Sequence, residues 1–319
     1  MEYVVFSDIH MYKNVSRSYF REDGITSWTR NQIQVLNQIF DYVHDNNIGL
    51  VICNGDIFHE KNHIPQDLYN LVWNYFKERS KITEIIFNTG NHDYHNKELS
   101  SSLRPFSDIV KVVIYPQYIT KNFYMIPHGK VLDMVEIPHA DVLFTHEDIQ
   151  GMNYGQNDYT SQSPLKQDLF KDFKLVINGH IHTPQTFHNI LNIGSCMKHD
   201  FGDFGDRYFY HLNNDKIVKQ IKVTCPDFIS INGLSTRIKN TILNNKYDYF
   251  RIDISPEELS DEVFKQYNIF PNTIKQNTIK ENRLGNAITI EDEIKKYIEL
   301  SKTKLNKDKL LEIGKELVI

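Results

Sequence analysis

Short runs of consecutive apolar residues punctuate the first part of the chain. Tyr3 to Phe6, Leu50 to Cys53, Ile85 to Phe87, Val142 to Phe144 and Leu175 to Ile177 are rich in β-branched and aromatic side chains, which predicts buried strands. Between the first three runs the period changes. Ile33, Leu36, Phe40 and Val43 recur at helical spacing, and so do Leu68, Leu71, Val72, Tyr75 and Phe76 behind Pro65, a residue suited to a helix start. Strand, helix and strand in succession predict βαβ crossovers with parallel neighbours. After Asp108 the pattern turns to short strands at Val112 to Tyr115, Phe123 to Ile126 and Val131 to Ile137. Turn signals at His188-Asn189 and Asn213-Asn214-Asp215 predict hairpins, the second joining Tyr208–Leu212 to Ile217–Val223. The fold class that accommodates this order is α/β, with two packed mixed β-sheets flanked by helices.

Pro226 marks a change of organisation. Residues 1–225 form the expected main domain. Residues 226–271 read as a small α+β capping domain, with a helix at Thr236–Leu243, a strand at Tyr247–Ile254 and a capped helix start at Ser255-Pro256-Glu257-Glu258. From there to residue 287 the chain is mostly Asn, Lys, Gln and Thr, so 272–287 is assigned as a linker. Residues 288–319 return to helical periodicity. Ile290, Ile294, Tyr297 and Ile298 make one apolar stripe, and Leu310, Ile313, Leu317 and Val318 make another.

Bulk composition adds little to this picture. The 319 residues are 40% hydrophobic and 24% charged with a formal net charge of -5, as in an ordinary soluble protein. No global basic balance points to nucleic acid, although a local patch can still bind it. Cys53, Cys196 and Cys225 form no CxxC pair, and an odd count argues against a disulfide framework. No apolar run reaches the roughly 18 residues of a membrane span. The start runs straight into Asp8 without a basic stretch, so the expected location is the cytoplasm.

Each of the five buried runs ends at residues that seek metals: Asp8-Ile9-His10, Gly55-Asp56, Gly90-Asn91-His92-Asp93, Thr145-His146 and Gly179-His180-Ile181-His182. In layered α/β proteins ligands bind beyond the carboxyl ends of the strands, so these side chains should meet in one place. Any one block is ordinary, because Gly-Asp and Gly-Asn after a strand are common turns. In series they supply carboxylates from Asp8 and Asp56, an amide oxygen from Asn91, and imidazoles from His10, His146, His180 and His182. That is the donor set of a two-metal hydrolytic centre, in which a carboxylate can bridge cations roughly 3.5–4 Å apart. It suits manganese, iron or zinc better than calcium.

The order Asp-x-His, Gly-Asp, Gly-Asn-His-Asp, His, Gly-His-x-His resembles the signature of the calcineurin-like metallophosphoesterases. The resemblance implies that Asp8, His10, Asp56 and His182 hold one metal and that Asp56, Asn91, His146 and His180 hold the other, with Asp56 shared. It implies two divalent ions, manganese first, with magnesium, iron or zinc as the other choices. His92 resembles the histidine that gives a proton to the leaving oxygen after attack of a metal-activated hydroxide, a role an imidazole suits. Asp93 or His59 is expected to orient it; for Asp93 a structural turn role stands beside that reading.

Protein phosphatases of this fold carry arginines after Gly-Asp and before Gly-Asn-His. Here Ile57-Phe58-His59 and Asn88-Thr89 occupy those stretches. His59, three residues after Asp56, is similar to the DNA-repair nuclease branch, the SbcD family. The segments Asn192-Ile193-Gly194-Ser195 and Asp200-Phe201-Gly202-Asp203 through Asp206-Arg207-Tyr208-Phe209 resemble the phage recombination nucleases. The function this implies is a metal-dependent exonuclease on duplex ends and endonuclease on single strands, working with an SbcC-type coiled-coil ATPase that docks on residues 288–319. It also implies a homodimer, to which Tyr69, Trp73 and Tyr75 could contribute, and the host cytoplasm if the origin is a phage. Lys13, Arg17, Arg21 and Arg30 are candidate DNA contacts, since the phosphate backbone needs cations. The alternatives are a phosphoesterase for small molecules or phosphoproteins, and a dead binding module, which should have lost ligands.

Overall fold

The computed structural model describes residues 1–95, 101–134, 136–155, 159–273, 290–300 and 305–316. In chain order the strands are β1 (Glu2–Phe6), β2 (Leu50–Asn54), β3 (Glu84–Asn88), β4 (Lys111–Val113), β5 (Gln117–Thr120), β6 (Phe123–Ile126), β7 (Val142–Thr145), β8 (Leu175–Asn178), β9 (Gln185–Phe187), β10 (Ile190–Asn192), β11 (Tyr208–Asn213), β12 (Lys216–Lys222), β13 (Phe228–Asn232), β14 (Tyr249–Ile254) and β15 (Ile269–Thr273). The helices are α1 (Ser27–Asp45), α2 (Gln66–Arg79), α3 (Thr236–Asn244), α4 (Ile290–Leu300) and α5 (Lys307–Glu316).

The first sheet runs β12-β11-β1-β2-β3-β4 and the second β5-β6-β7-β8-β10-β9. β1 to β4 are parallel, as the crossovers α1 and α2 require, and the β11–β12 hairpin closes one edge antiparallel. In the second sheet β6, β7, β8 and β10 are parallel, with β5 and β9 antiparallel at the edges. Alternation along the strands divides the core. Tyr3, Val5, Ile52 and Ile86 face Phe123, Met125, Phe144 and Ile177 between the sheets, while Val4, Phe6, Val51 and Phe87 pack against Leu36, Ile39, Phe40, Val72 and Phe76 of α1 and α2. Loops and a short 3-10 turn (Gln167–Phe170) cover the other face of the second sheet, through Ile149, Met152 and Phe170. α1 starts where the Thr26 side chain accepts the Thr29 N–H at 3.1 Å, a preferred helix cap.

One expected strand is absent. Residues 131–134 turn instead, because Lys130, Asp133 and Met134 donate their N–H groups three residues back, to Pro127, Lys130 and Val131. Gly129 sits at φ 72°, where a Cβ is disfavoured, and breaks the extended run; residue 135 lies outside the described residues. Tyr69 and Tyr75 pack within the chain's own core. Tyr69 donates to Ser102 O at 2.9 Å and Tyr75 to Asn37 Oδ1 at 3.0 Å, while Trp73 Nε1 donates to Pro105 O at 3.4 Å.

The chain divides into two compact units, Met1–Asp253 with Ser260–Asn272, and Ile254–Leu259 with Thr273–Ile319. In the first, a three-stranded sheet β13-β14-β15 follows the main sheets, and Phe228 and Tyr249 join the core around Trp28. In the second, α4 and α5 approach closely at Gly314, where an added Cβ would meet Ile294 Cγ2 at 2.9 Å. Residues 274–287 of the expected linker, and 288–289, Leu317 and Val318 of the expected terminal segment, lie outside the described residues. No described helix is long and apolar enough to cross a membrane.

Candidate metal centre

The site forms where the parallel strands of both sheets end. Asn54, Asn88, Asn178 and Asn192 occupy the last positions of β2, β3, β8 and β10, all fully buried, and their amides tie the loops together. Asn54 donates to Thr145 O at 2.8 Å and Ile177 O at 3.1 Å, Asn88 to Asn54 Oδ1 at 3.0 Å, and Asn178 to Asn192 Oδ1 at 2.9 Å. The chain reverses sharply just beyond them. Asp8, His10, Asp56 and His180 all have positive φ, from 47° to 80°, a region costly for non-glycine residues and common at functional sites. Gly179 permits a close approach, since a Cβ there would lie 2.6 Å from His146 Nδ1 and 2.8 Å from Asn54 O.

These loops converge the expected donors. Asp8 Oδ1 lies 3.7 Å from His10 Nε2, 3.7 Å from His146 Nε2 and 4.0 Å from His182 Nε2. Asp56 Oδ2 lies 3.6 Å from His10 Nε2 and 3.3 Å from His146 Nε2, so both carboxylates face the same two imidazoles. His10 Nε2 and His182 Nε2 stand 3.1 Å apart, and His180 Nδ1 is 2.9 Å from Asn91 Oδ1. Asp8, His10 and His182 form one group able to hold an ion, and Asp8, Asp56 and His146 form another. All seven expected ligands are therefore within one cluster.

Their chemistry fits divalent cations. Asp8 Oδ1 and His146 Nε2 are buried without a hydrogen-bond partner, an arrangement that costs free energy unless something compensates. In the metal-free chain a proton does so: burial opposes it, but Asp56 and Asp8 push the His146 imidazole up to about 10. A divalent cation supplies the same compensation with more charge and displaces the proton. His146 Nδ1 donates to Asn54 O at 2.7 Å, which leaves Nε2 for an ion. Burial, and the charges of His146 and His128, push His180 down to about 4, the neutral form that ligation needs.

His92 packs beside the donors, and with His10 and His59 it makes a third group whose nitrogens could hold an ion. Its backbone N–H donates to Asp56 Oδ1 at 2.8 Å and its Nδ1 lies 2.6 Å from His59 O. The ring packs edge-on to His10 at 4.7 Å and stacks on His59 at 5.4 Å. The backbone of His59, not an acidic side chain, thus orients it. Asp93 is spent elsewhere, accepting the N–H groups of Asp56 (2.9 Å), Gly90 (3.0 Å), Ile57 (3.1 Å) and Phe58 (3.3 Å).

Several participants carried no assignment from sequence. His182 Nδ1 faces Asp203 Oδ1 at 3.5 Å, and buried Arg207 reaches the same oxygen at 3.1 Å and His182 O at 3.0 Å. Burial pushes the Asp203 carboxyl up, but His182 and Arg207 outweigh it and hold it well below the usual range. His199 Nε2 donates to Asp8 O at 2.9 Å, and its ring lies 5.0 Å from His10. His128 stacks on His180 at 5.3 Å with Nδ1 2.7 Å from His146 O. The signal for Asp203 and Arg207 was the Asp-and-Gly-rich segment before β11; His128 stands two residues after the buried run Phe123–Ile126, as Asp8 does after Phe6, and nothing in the spacing of His199 marked it. Of the candidate DNA contacts, Lys13 pairs with Asp67 and Arg30 with Asp23. Arg17 lies over the Phe270 ring at 5.1 Å, and Arg21 over Tyr19 at 5.9 Å.

Among solved structures the chain is similar to a nuclease, MPE, from Pseudomonas putida, at 13% identity over 60% of this chain and 73% of that one, with a TM-score of 0.31. It is similar also to a dimetal phosphatase from Danio rerio, at 11% identity over 70% of this chain and 98% of that one, with a TM-score of 0.41. No curated protein matches it. The profile of the calcineurin-like phosphoesterases matches residues 1–184, more than half of the 319 residues, and spans every motif of the centre. By that match the chain belongs to the calcineurin-like phosphoesterases, hydrolases that act on phosphoester bonds with divalent metal ions.

Proposed function

We propose that this phosphoesterase is a DNA nuclease of the SbcD type, cutting duplex ends as an exonuclease and single strands as an endonuclease, with manganese as the working ion. The observation that carries this reading is the pairing of a His92 oriented by the His59 backbone with an arginine-free approach. A cavity of about 510 Å³ beside Asn91 is lined by Lys61, Tyr94, His95, His128 and Lys130, and no arginine lines it among the described residues. A terminal phosphate dianion favours the bidentate grip of guanidinium groups. A phosphodiester carries one negative charge and gains less from such a clamp, while its sugar leaving oxygen still needs a proton donor.

When bound, divalent cations at Asp8, His10, Asp56, Asn91, His146, His180 and His182 would stabilise charge developing on the phosphoryl oxygens and lower the pKa of water. The chain's own contribution is orientation and proton transfer. His59 O accepts from His92 Nδ1, so Nε2 can give a proton to the leaving oxygen from the imidazolium form, which burial disfavours and the Asp56 carboxylate favours. Lys61 and Lys130 offer point charges for flanking phosphates, although Lys130 also lies 3.8 Å from Asp133. The helices α4 and α5 would dock a coiled-coil ATPase of the SbcC type, a reading that Tyr297 (69% exposed) and Ile313 (47% exposed) favour, because amphipathic helices bury such stripes in a partner's groove.

The test compares linear duplex DNA, a chromogenic phosphodiester and a phosphopeptide in manganese buffer. Degradation of DNA and the diester, with little phosphate released from the peptide, supports the reading. Rapid phosphopeptide hydrolysis with intact DNA would replace it by the phosphoprotein phosphatase alternative.

A further inference from the structure

A second cavity, of about 710 Å³, lies beside α1 and the segment that follows α3, and none of the seven metal-seeking residues lines it. Its walls carry three tyrosines (Tyr19, Tyr247 and Tyr267) and three cations (Arg21, Arg30 and Lys246), and no carboxylate lines it among the described residues. In a chain of net charge -5 this is a local reversal of sign. Arg30 is answered by Asp23, so Arg21 and Lys246 carry the charge of the wall. Tyr19 (39% exposed) and Tyr247 (38% exposed) present ring surface to solvent. Tyr267 is fixed, meeting Tyr19 edge-on at 4.9 Å and donating its hydroxyl to Lys246 O. Asn31 and Gln34 of α1 add amide donors and acceptors to the same wall.

Aromatic faces beside cations, with amides and without acids, make up the chemistry that holds single-stranded nucleic acid. Bases stack on the rings and phosphates meet the cations. A duplex keeps its bases paired inside, so a cavity of this kind can take only unpaired ones. Its volume lies within the roughly 300–1,000 Å³ of small-ligand sites, which suits one or two nucleotides. We propose that this cavity is a binding site for single-stranded DNA, stacking unpaired bases on Tyr19 and Tyr247 with the backbone on Arg21 and Lys246. It rests on the DNA reading above and deepens it, since a strand gripped here would be anchored away from the metals that cut it.

The test uses the full chain in EDTA, so that the metal centre contributes no cation. Anisotropy of a labelled 12-nucleotide oligothymidine is titrated with wild type, Tyr247→Ala, Arg21→Glu and Lys246→Glu, with Lys81→Glu as an exposed control outside the cavity. Arg21 and Lys246 are exposed, so their reversal leaves the core intact, which circular dichroism verifies. The cavity variants should each bind about fivefold more weakly or worse, and Lys81→Glu should match wild type. Ultraviolet crosslinking of an iododeoxyuridine oligonucleotide should label Tyr19, Tyr247 or Tyr267. Unchanged affinity in the folded cavity variants, or crosslinks confined to other residues, overturns the proposal. A mononucleotide, dTMP, that competes as tightly as the oligonucleotide also overturns it, in favour of a mononucleotide site. Cleavage assays with manganese separate the two readings. Intact DNA with oligonucleotide bound in the cavity sinks the nuclease and spares the site, whereas cut DNA with unaffected cavity variants does the reverse.

Discussion

Asp93 offers the sharpest test of how the centre is built, because its carboxylate joins two of the loops that carry ligands. Oδ2 accepts from Asp56 N and Gly90 N, and Oδ1 from Ile57 N and Phe58 N, all within 3.3 Å. Asp93→Ala would leave four buried donors without an acceptor. An unsatisfied buried donor costs about 1–3 kcal/mol. Water entering the emptied space would satisfy about half of them, so the expected loss is about 3–5 kcal/mol. That is a large share of the roughly 5–15 kcal/mol that holds a domain together.

The isosteric Asp93→Asn tests the charge alone. Burial and then the Asp56 carboxylate push the Asp93 carboxyl up to about 8 in the metal-free chain, against the pull of the Gly90 and Phe58 N–H groups. The folded state therefore holds this proton more tightly than the unfolded one. The stabilisation is full below the ordinary carboxylate pKa and is lost as pH rises through about 8. Near pH 6 without metal, asparagine matches the neutral acid in charge but turns an NH2 toward two of the four N–H donors, so it should cost about 1–2 kcal/mol. A cation on Asp56 would offset the second push and favour the charged form of Asp93. With manganese at pH 7.5 the same change should cost about 2–3 kcal/mol and weaken metal binding by about 10–100-fold. Urea unfolding with and without metal, together with calorimetric metal titration, measures both. If Asp93→Ala shifts stability by less than about 0.5 kcal/mol, or if Asn behaves alike in both states, the carboxylate does not clamp these loops.

Much of this centre was legible because its ligands follow strands that are short, apolar and parallel. Tyr3–Phe6 and Leu50–Cys53 announce themselves by hydrophobicity, and a residue placed after such a strand has few places to point. Asp8, Asp56 and His146 were found in that way. The asparagines one step earlier were equally regular in position, at Asn54, Asn88, Asn178 and Asn192, yet a buried amide network has no periodicity of its own. Its meaning appears only when both sheets are side by side. His199 and His128 are less visible for a related reason. Each acts on a ligand elsewhere in the chain, His199 on Asp8 O and His128 on His146 O; His199 follows no buried strand, whereas His128 stands two residues after buried β6 and carried no assignment all the same. β13 pairs with β14 but alternates buried and exposed residues over a short span, so its hydrophobic signal is weak. Val131–Ile137 failed the other way. Its apolar residues suggest a strand, but the turns that begin at Pro127 bend them onto the loop core instead.

Four further outcomes follow from named contacts. His92→Asn should lower DNA cleavage by about 10²–10⁴-fold with both metals retained, and loss of metal in elemental analysis would show that His92 is a ligand instead. Asp56→Ala removes the carboxylate shared by His10 and His146 and should empty both sites; two metals per chain after dialysis would contradict the shared role. Asp203→Asn breaks the contact that orients His182 and should weaken metal affinity by about 10–100-fold, which a competition titration with a chelator can read. On the proposed function, removing residues 288–319 should leave metal binding and basal phosphodiester hydrolysis intact, because none of the seven expected ligands lies there, but abolish co-purification with the proposed SbcC-type ATPase. Two helices of 11 and 10 residues are marginal alone in water, and Tyr297 and Ile313 remain exposed beside the close approach at Gly314, so a partner's groove is what would cover them. Undiminished complex formation by the truncated chain would locate the docking site elsewhere.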